Sequence, residues 1–107
     1  MGDAAAMTVT RNDDAGRYEI HVDGVLAGFT EIRPDHEGRI VMPHTSIEKD
    51  FTGQGIGGRL VGGALADIAS RGETVVPVCP FVVKYAREHD IPGLTVHTRE
   101  GDDTTAA

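Results

Sequence analysis

The stretch FTGQGIGGRL, residues 51–60, sets glycines at 53, 55, 57 and 58 on the threshold of an apolar, helix-patterned segment. Glycine is costly inside a helix and useful where backbone must come close to a ligand. A strand-to-helix turn of this kind leaves the first helical amides unpaired. Those N–H groups, with the positive end of the helix dipole, favour a phosphate or pyrophosphate. Read literally, Gly53, Gly55 and Gly58 form a G-x-G-x-x-G, and Glu73 follows at about the spacing of the ribose-binding acid of a dinucleotide site. A Walker-type phosphate loop is excluded, because Arg59 and Leu60 stand where Lys and then Ser or Thr are needed. A glycine loop of purely structural purpose is the competing reading.

Cys79 is the second reactive group. It is the chain's only cysteine, it ends an apolar run, and it directly precedes Pro80, a residue suited to a first helical turn. The positive end of a helix favours a thiolate over a thiol, and a thiolate is a nucleophile; a buried structural cysteine is the alternative. His44 is expected in a strand facing Cys79, where an imidazole can act as general base near neutral pH. The other histidines, His21, His36, His89 and His97, lack metal-ligand spacing, so no metal site is expected.

These groups need elements to hold them. RYEIHV alternates so that Tyr18, Ile20 and Val22 share one face of a strand, and Asp23-Gly24 is a hairpin signal. A second strand is expected from Val25 to Arg33, a turn at PDHEG, and a third strand from Arg39 to Ile47. After the glycines, Ile56, Leu60, Val61, Ala64, Leu65 and Ile68 recur at intervals of three and four, which predicts one buried helical stripe ending near Gly72. Gly62 and Gly63 inside that helix cost roughly 1 kcal/mol each relative to alanine, and close packing against the sheet would account for them. TVVPVC reads as a strand buried on both faces and PFVVKYAREHD as a shorter helix.

The order strand, helix, strand from Ile40 to Cys79 predicts a crossover joining parallel strands, attached to an antiparallel meander. Pro43 and Pro77 fall in the two strands so joined, and each lacks the N–H of a complete ladder. The strands are therefore expected to part beside the glycine loop, where open α/β sheets bind ligands. An edge position or a bulge for one proline is the alternative.

At 107 residues the chain fits one domain, expected over 7–98, with residues 1–6 and 99–107 as flexible ends. A formal charge of −7 without a basic cluster argues against a nucleic-acid partner. No apolar run approaches the roughly 20 residues that cross a bilayer, and the N-terminal MGDAAAM lacks signal-peptide order, so no membrane partner and a reducing, cytoplasmic setting are expected. Nothing in the sequence indicates an oligomeric state.

HTSI at 44–47, GQGIGGRLV at 53–61 and VVPVCPFVVKY at 75–85, in that order, give residues 17 to 90 a resemblance to the GNAT superfamily of acetyl-coenzyme A-dependent N-acetyltransferases. In particular the chain resembles its very small single-domain subfamily. The resemblance implies a mixed α/β (α+β) fold: an antiparallel meander, then a β-α-β crossover whose parallel strands splay around the pantetheine arm, then a short C-terminal helix. The superfamily loop pattern Q/R-x-x-G-x-G/A aligns with Thr52, Gly53, Gln54, Gly55, Ile56 and Gly57, whose amides would hold the pyrophosphate of acetyl-coenzyme A together with Gly58. Arg59 would add a positive charge, or be a solvated helix residue. Thr52 stands where arginine or glutamine is usual, and Ser46 where the subfamily usually has an acid.

The resemblance implies catalytic parts for Cys79 and His44, and for Tyr85, where the superfamily often keeps a tyrosine that protonates the leaving thiolate; core packing is the other role open to Tyr85. Cys79 would carry the acetyl group as a thioester or line the channel while acetyl passes directly to an amine of a small molecule or protein. The expected function is N-acetyl transfer; the alternative is a non-catalytic acyl-coenzyme A sensor or interaction module.

Overall fold

The computed structural model describes residues 6–98. Residues 1–5 and 99–107, which the sequence reading treats as flexible ends, lie outside the described residues. Ala6, grouped with them, accepts a hydrogen bond from the Asp23 amide and donates one to the Asp23 carboxylate.

Along the chain run β1 (Met7–Asn12), β2 (Arg17–Val22), β3 (Val25–Glu31), β4 (Arg33–Pro34), β5 (Ile40–Met42) and β6 (Thr45–Ile47). A 3-10 turn at Lys49–Phe51 leads to α1 (Ile56–Ser70), β7 (Thr74–Pro77), α2 (Pro80–Glu88) and β8 (Thr95–Val96). The strands form two four-stranded sheets, β1-β2-β3-β6 and β4-β5-β7-β8. The first is antiparallel throughout; in the second, β5 and β7 are parallel and α1 is the crossover between them. This is the mixed α/β architecture the sequence leads one to expect.

Local signals account for most elements. Asp23 and Gly24 both have positive φ, 50° and 86°, the backbone twist of a two-residue hairpin loop that keeps β2 and β3 paired. Tyr18, Ile20 and Val22 are buried together on the inner face of β2. Against them lies the α1 stripe of Ile56, Leu60, Val61, Ala64, Leu65 and Ile68, every member buried. Gly72, at φ 72°, ends α1: its amide bonds to Ala69 and the Glu73 amide to Ile68, a left-handed stop that satisfies two of the last carbonyls.

The glycines within α1 are explained by approach. A Cβ on Gly63 would meet Val9 of β1 at 3.0 Å, and one on Gly62 would stand 2.5 Å from the Tyr85 hydroxyl of α2. The helix gives up propensity at these positions so that a strand and a second helix can close on it.

The far end of α1 is fastened by a polar cluster. Arg11 of β1 donates to Glu73 at 2.8 Å, to Asp13 at 2.8 Å and to the Tyr18 hydroxyl at 3.3 Å. Tyr18 donates to Asp67 of α1 at 2.6 Å, and Arg71 bonds the same carboxylate at 2.7 Å. Bonding to Glu73 raises the already high Arg11 pKa further. Burial, together with the Asp67 carboxylate, pushes the Tyr18 phenol well above its ordinary range.

Besides a break at Ile32, which divides the strand expected from Val25 to Arg33 between β3 and β4 in different sheets, two features differ from the sequence reading. The segment expected as one strand from Arg39 to Ile47 is broken at Pro43 and His44: β5 stays with β7, while β6 crosses to β3. The cause is in the ladder. Met42 pairs with Pro77, neither Pro43 nor Pro77 offers an N–H, and the Val78 and Cys79 amides converge instead on the Met42 carbonyl at 3.2 and 2.9 Å. The second difference is β8, which adds a parallel edge to β7 through only two residues, too short for a periodic signal.

Candidate active site

The splayed strands and the glycine loop meet at one place. Gly55 is the N-cap of α1 at φ 73°, and Gly53 also has positive φ, 80°, conformations a side chain disfavours. Among the described residues, no acceptor is bonded by a backbone N–H from Gly53 to Gly58; the first amide to find one is that of Arg59, on the Gly55 carbonyl. No acidic residue lies in the first turn of α1. A run of free amides at the positive end of a fifteen-residue helix fits an anionic group such as a pyrophosphate.

Above these amides opens a cavity of about 450 Å³. Thr45 and Ile47 of β6 form one wall, Phe81 of α2 the other, and Phe51, Thr52 and the loop glycines the mouth. The ring of Phe81 lies against Gly57, where a Cβ would be 3.1 Å away, so the glycine lets α2 and the loop close on each other. Ile56 turns its side chain into the core and leaves its amide to the loop. Gln54 bonds the Asp50 carbonyl at 3.4 Å, and the Thr52 hydroxyl bonds the Lys49 carbonyl at 3.0 Å, closing the 3-10 turn. Arg59, one position past the free amides, is exposed.

Residues 17–91 match the family model described as GCN5-related N-acetyl-transferase. The chain belongs to that family. Among solved structures it is similar to a ribosomal-protein-alanine N-acetyltransferase from Brucella melitensis biovar Abortus 2308, at 21% identity and a TM-score of 0.43, over 85% of this chain and 58% of that one. It is also similar to an aminoglycoside acetyltransferase from an uncultured soil metagenomic sample, determined in complex with trehalose, at 10% identity and a TM-score of 0.44, over 99% of this chain and 65% of that one. The chain thus spans less than two thirds of the length of either structure. No curated protein matches it.

In this GCN5-related N-acetyl-transferase chain, Cys79 is the N-cap of α2, buried at 7% exposure, with Pro80 in the first turn. The residue across from it is Thr45, whose hydroxyl is 3.6 Å from the sulfur. His44, expected to face Cys79, is exposed and lies edge-on to Phe29, with ring centroids 6.2 Å apart. Phe29 is in turn covered by the Arg17 guanidinium at 4.6 Å. Tyr85 stands on the other flank of α1, over Gly58 and Gly62, and stacks on His89 at 3.8 Å. The fold therefore brings Thr45 and the glycine loop around one cavity, with the Cys79 sulfur against the Thr45 hydroxyl, and among the described residues neither the His44 nor the Tyr85 side chain is hydrogen-bonded to that sulfur.

Thr45, Ile47, Phe51 and Phe81 are cavity residues that sequence reasoning missed. Their signal was available only once the break at Pro43 was known, because alternation then places Thr45 and Ile47 on the side opposite His44 and Ser46. Glu73, the acid of the dinucleotide pattern, is bonded to Arg11 beyond the opposite end of α1, about 22 Å of helix from the loop. Among the described residues no three His, Cys, Asp or Glu side chains gather as metal ligands would, and no helix is long and apolar enough to cross a membrane.

Proposed function

We propose that the protein transfers acetyl from acetyl-coenzyme A to an amine of a small molecule or protein. The observation that carries this reading is the run of unbonded amides from Gly53 to Gly58 opening onto the cavity between β6 and α2. In this reading the amides of Gly53, Gln54, Gly55, Ile56, Gly57 and Gly58 bind the pyrophosphate, with Arg59 adding charge at the rim. The pantetheine arm lies along the apolar wall of Ile47, Phe51 and Phe81, which excludes water from the thioester. The acceptor amine must arrive neutral and close to the thioester carbonyl. Cys79 then either takes the acetyl group first, its sulfur bonding to the carbonyl carbon as coenzyme A leaves as thiolate, or lines the path of direct transfer.

His44 and Tyr85 enter this scheme as base and acid only if the acceptor or a side-chain rotation brings them to the cavity. That neither is hydrogen-bonded to Cys79 among the described residues, with Thr52 in the loop, favours a second reading: an acyl-coenzyme A sensor that binds without turnover. Intact mass after mixing with acetyl-coenzyme A, with and without Cys79→Ala, decides between them. A cysteine-dependent gain of one acetyl group supports covalent transfer, and release of free coenzyme A with an amine panel supports transfer in general. Stabilisation by coenzyme A with neither outcome supports the sensor, and stabilisation by NAD but not by coenzyme A overturns both.

A further inference from the structure

Thr45 and Thr30 form a hydroxyl chain that ends on the Cys79 sulfur. Thr30 is fully buried on β3, its hydroxyl 2.9 Å from that of Thr45 and 3.4 Å from the His44 carbonyl. Thr45 in turn lines the cavity and touches the sulfur at 3.6 Å. No other side chain among the described residues is hydrogen-bonded to Cys79: the His44 ring lies against Phe29, and Tyr85 lies over Gly58 and Gly62.

Each hydroxyl carries one proton and can also accept, so the chain has two complete arrangements. With Cys79 as a thiol, the S–H donates to Thr45, Thr45 donates to Thr30, and Thr30 donates to the His44 carbonyl. Once the thiol has released its proton to solvent, the order reverses: Thr30 donates to Thr45 and Thr45 donates to the sulfur. Only hydroxyl rotation separates the two, and the His44 carbonyl keeps the Glu31 amide as a donor at 2.8 Å in both.

From this geometry we infer that Thr45, oriented by Thr30, is a positioning residue that holds the Cys79 sulfur beside the cavity that Thr45 lines and bonds it in both protonation states. The chemical use of the device rests on the acetyltransferase reading, in which the sulfur faces the thioester. A hydroxyl can accept from the thiol and donate to the thiolate, whereas a methyl in its place does neither.

The test reads the reactivity of Cys79, through its rate of alkylation by iodoacetamide at pH 7 followed by intact mass against a Cys79→Ala blank; the chain has no other cysteine. In Thr45→Val the rate is expected to fall about tenfold, through loss of the hydroxyl bonded to the reacting sulfur, and Thr45→Ser is expected to restore it. Thr30→Val should move it the same way by a smaller amount, and this variant decides the matter if Thr45→Val does not fold. An unchanged alkylation rate, or a serine variant that behaves like valine, overturns the inference. Because no acetyl-coenzyme A is present, failure of the acetyltransferase reading is read separately, from the mass and thiol-release experiments.

Discussion

A Cβ on Gly62 would stand 2.5 Å from the hydroxyl of Tyr85, while one on Gly63, the next residue, would meet the Cβ and both methyls of Val9 at 3.0–3.1 Å. The neighbours differ in how they can yield. Tyr85 meets Gly62 with the tip of its ring and borders an open groove, whereas Val9 is a stiff β-branched residue on a paired strand. Gly63→Ala should therefore destabilise the fold by about 1–3 kcal/mol through overpacking, even after the roughly 1 kcal/mol gain in helix propensity. Gly62→Ala should leave stability nearly unchanged while turning Tyr85 off His89. Thermal unfolding of the two variants checks the contrast, and equal losses would count against it.

Gly55→Ala probes the loop without touching the core. A Cβ there meets nothing within 4 Å, so the substitution adds only the cost of a left-handed residue, about 1–2 kcal/mol. Its larger expected effect is on ligand response: the rise in melting temperature on adding coenzyme A should shrink or vanish. A variant that loses intrinsic stability but keeps the full coenzyme A response would argue that this turn does not hold the pyrophosphate.

Tyr18 predicts an alkaline limit. Burial and the bond to Asp67 hold its folded pKa above the ordinary tyrosine value, so its contribution is complete below about pH 10 and is lost as pH rises through the folded value. Tyr18→Phe should cost about 1–3 kcal/mol at neutral pH, since it removes a hydrogen bond to a carboxylate that keeps only Arg71. Above pH 10 the gap between variant and parent should narrow. Chemical denaturation at pH 7 and pH 11 measures both.

Asp35 sets an acid-side counterpart. Partial loss of solvent works against its charge. The Arg39 side chain and the amides of Arg39 and Glu37 nevertheless bond its two oxygens and hold it at about 2. A depressed carboxylate stabilises above its unfolded value, near pH 4, and that support disappears as pH falls toward 2. Asp35→Asn should thus melt below the parent at pH 6 and coincide with it near pH 2; a constant difference across that range would contradict the assignment.

Much of this protein is legible in the sequence because its determinants are local. Apolar spacing alone picks out Ile56, Leu60, Val61, Ala64, Leu65 and Ile68, and all are buried. The Asp23-Gly24 turn, the stop at Gly72 and the glycine loop are each dictated by backbone conformations that few residues adopt. Even the parting of the strands follows from two prolines without an N–H. What the chain could not disclose is which strand each freed segment joins next. The pairing of Gly28, Phe29 and Thr30 with Ile47, Ser46 and Thr45 holds β6 to β3, and that register sets the alternation so that Thr45 faces Cys79 and His44 faces Phe29. Likewise, α2 carries Tyr85 whatever it packs against, and the bare surface at Gly58 and Gly62 lets its ring lie over α1. Both outcomes depend on pairings between residues distant in sequence, which local periodicity does not encode. Secondary structure and the glycine loop therefore belong to the sequence, and the set of side chains that meets Cys79 belongs to the tertiary structure.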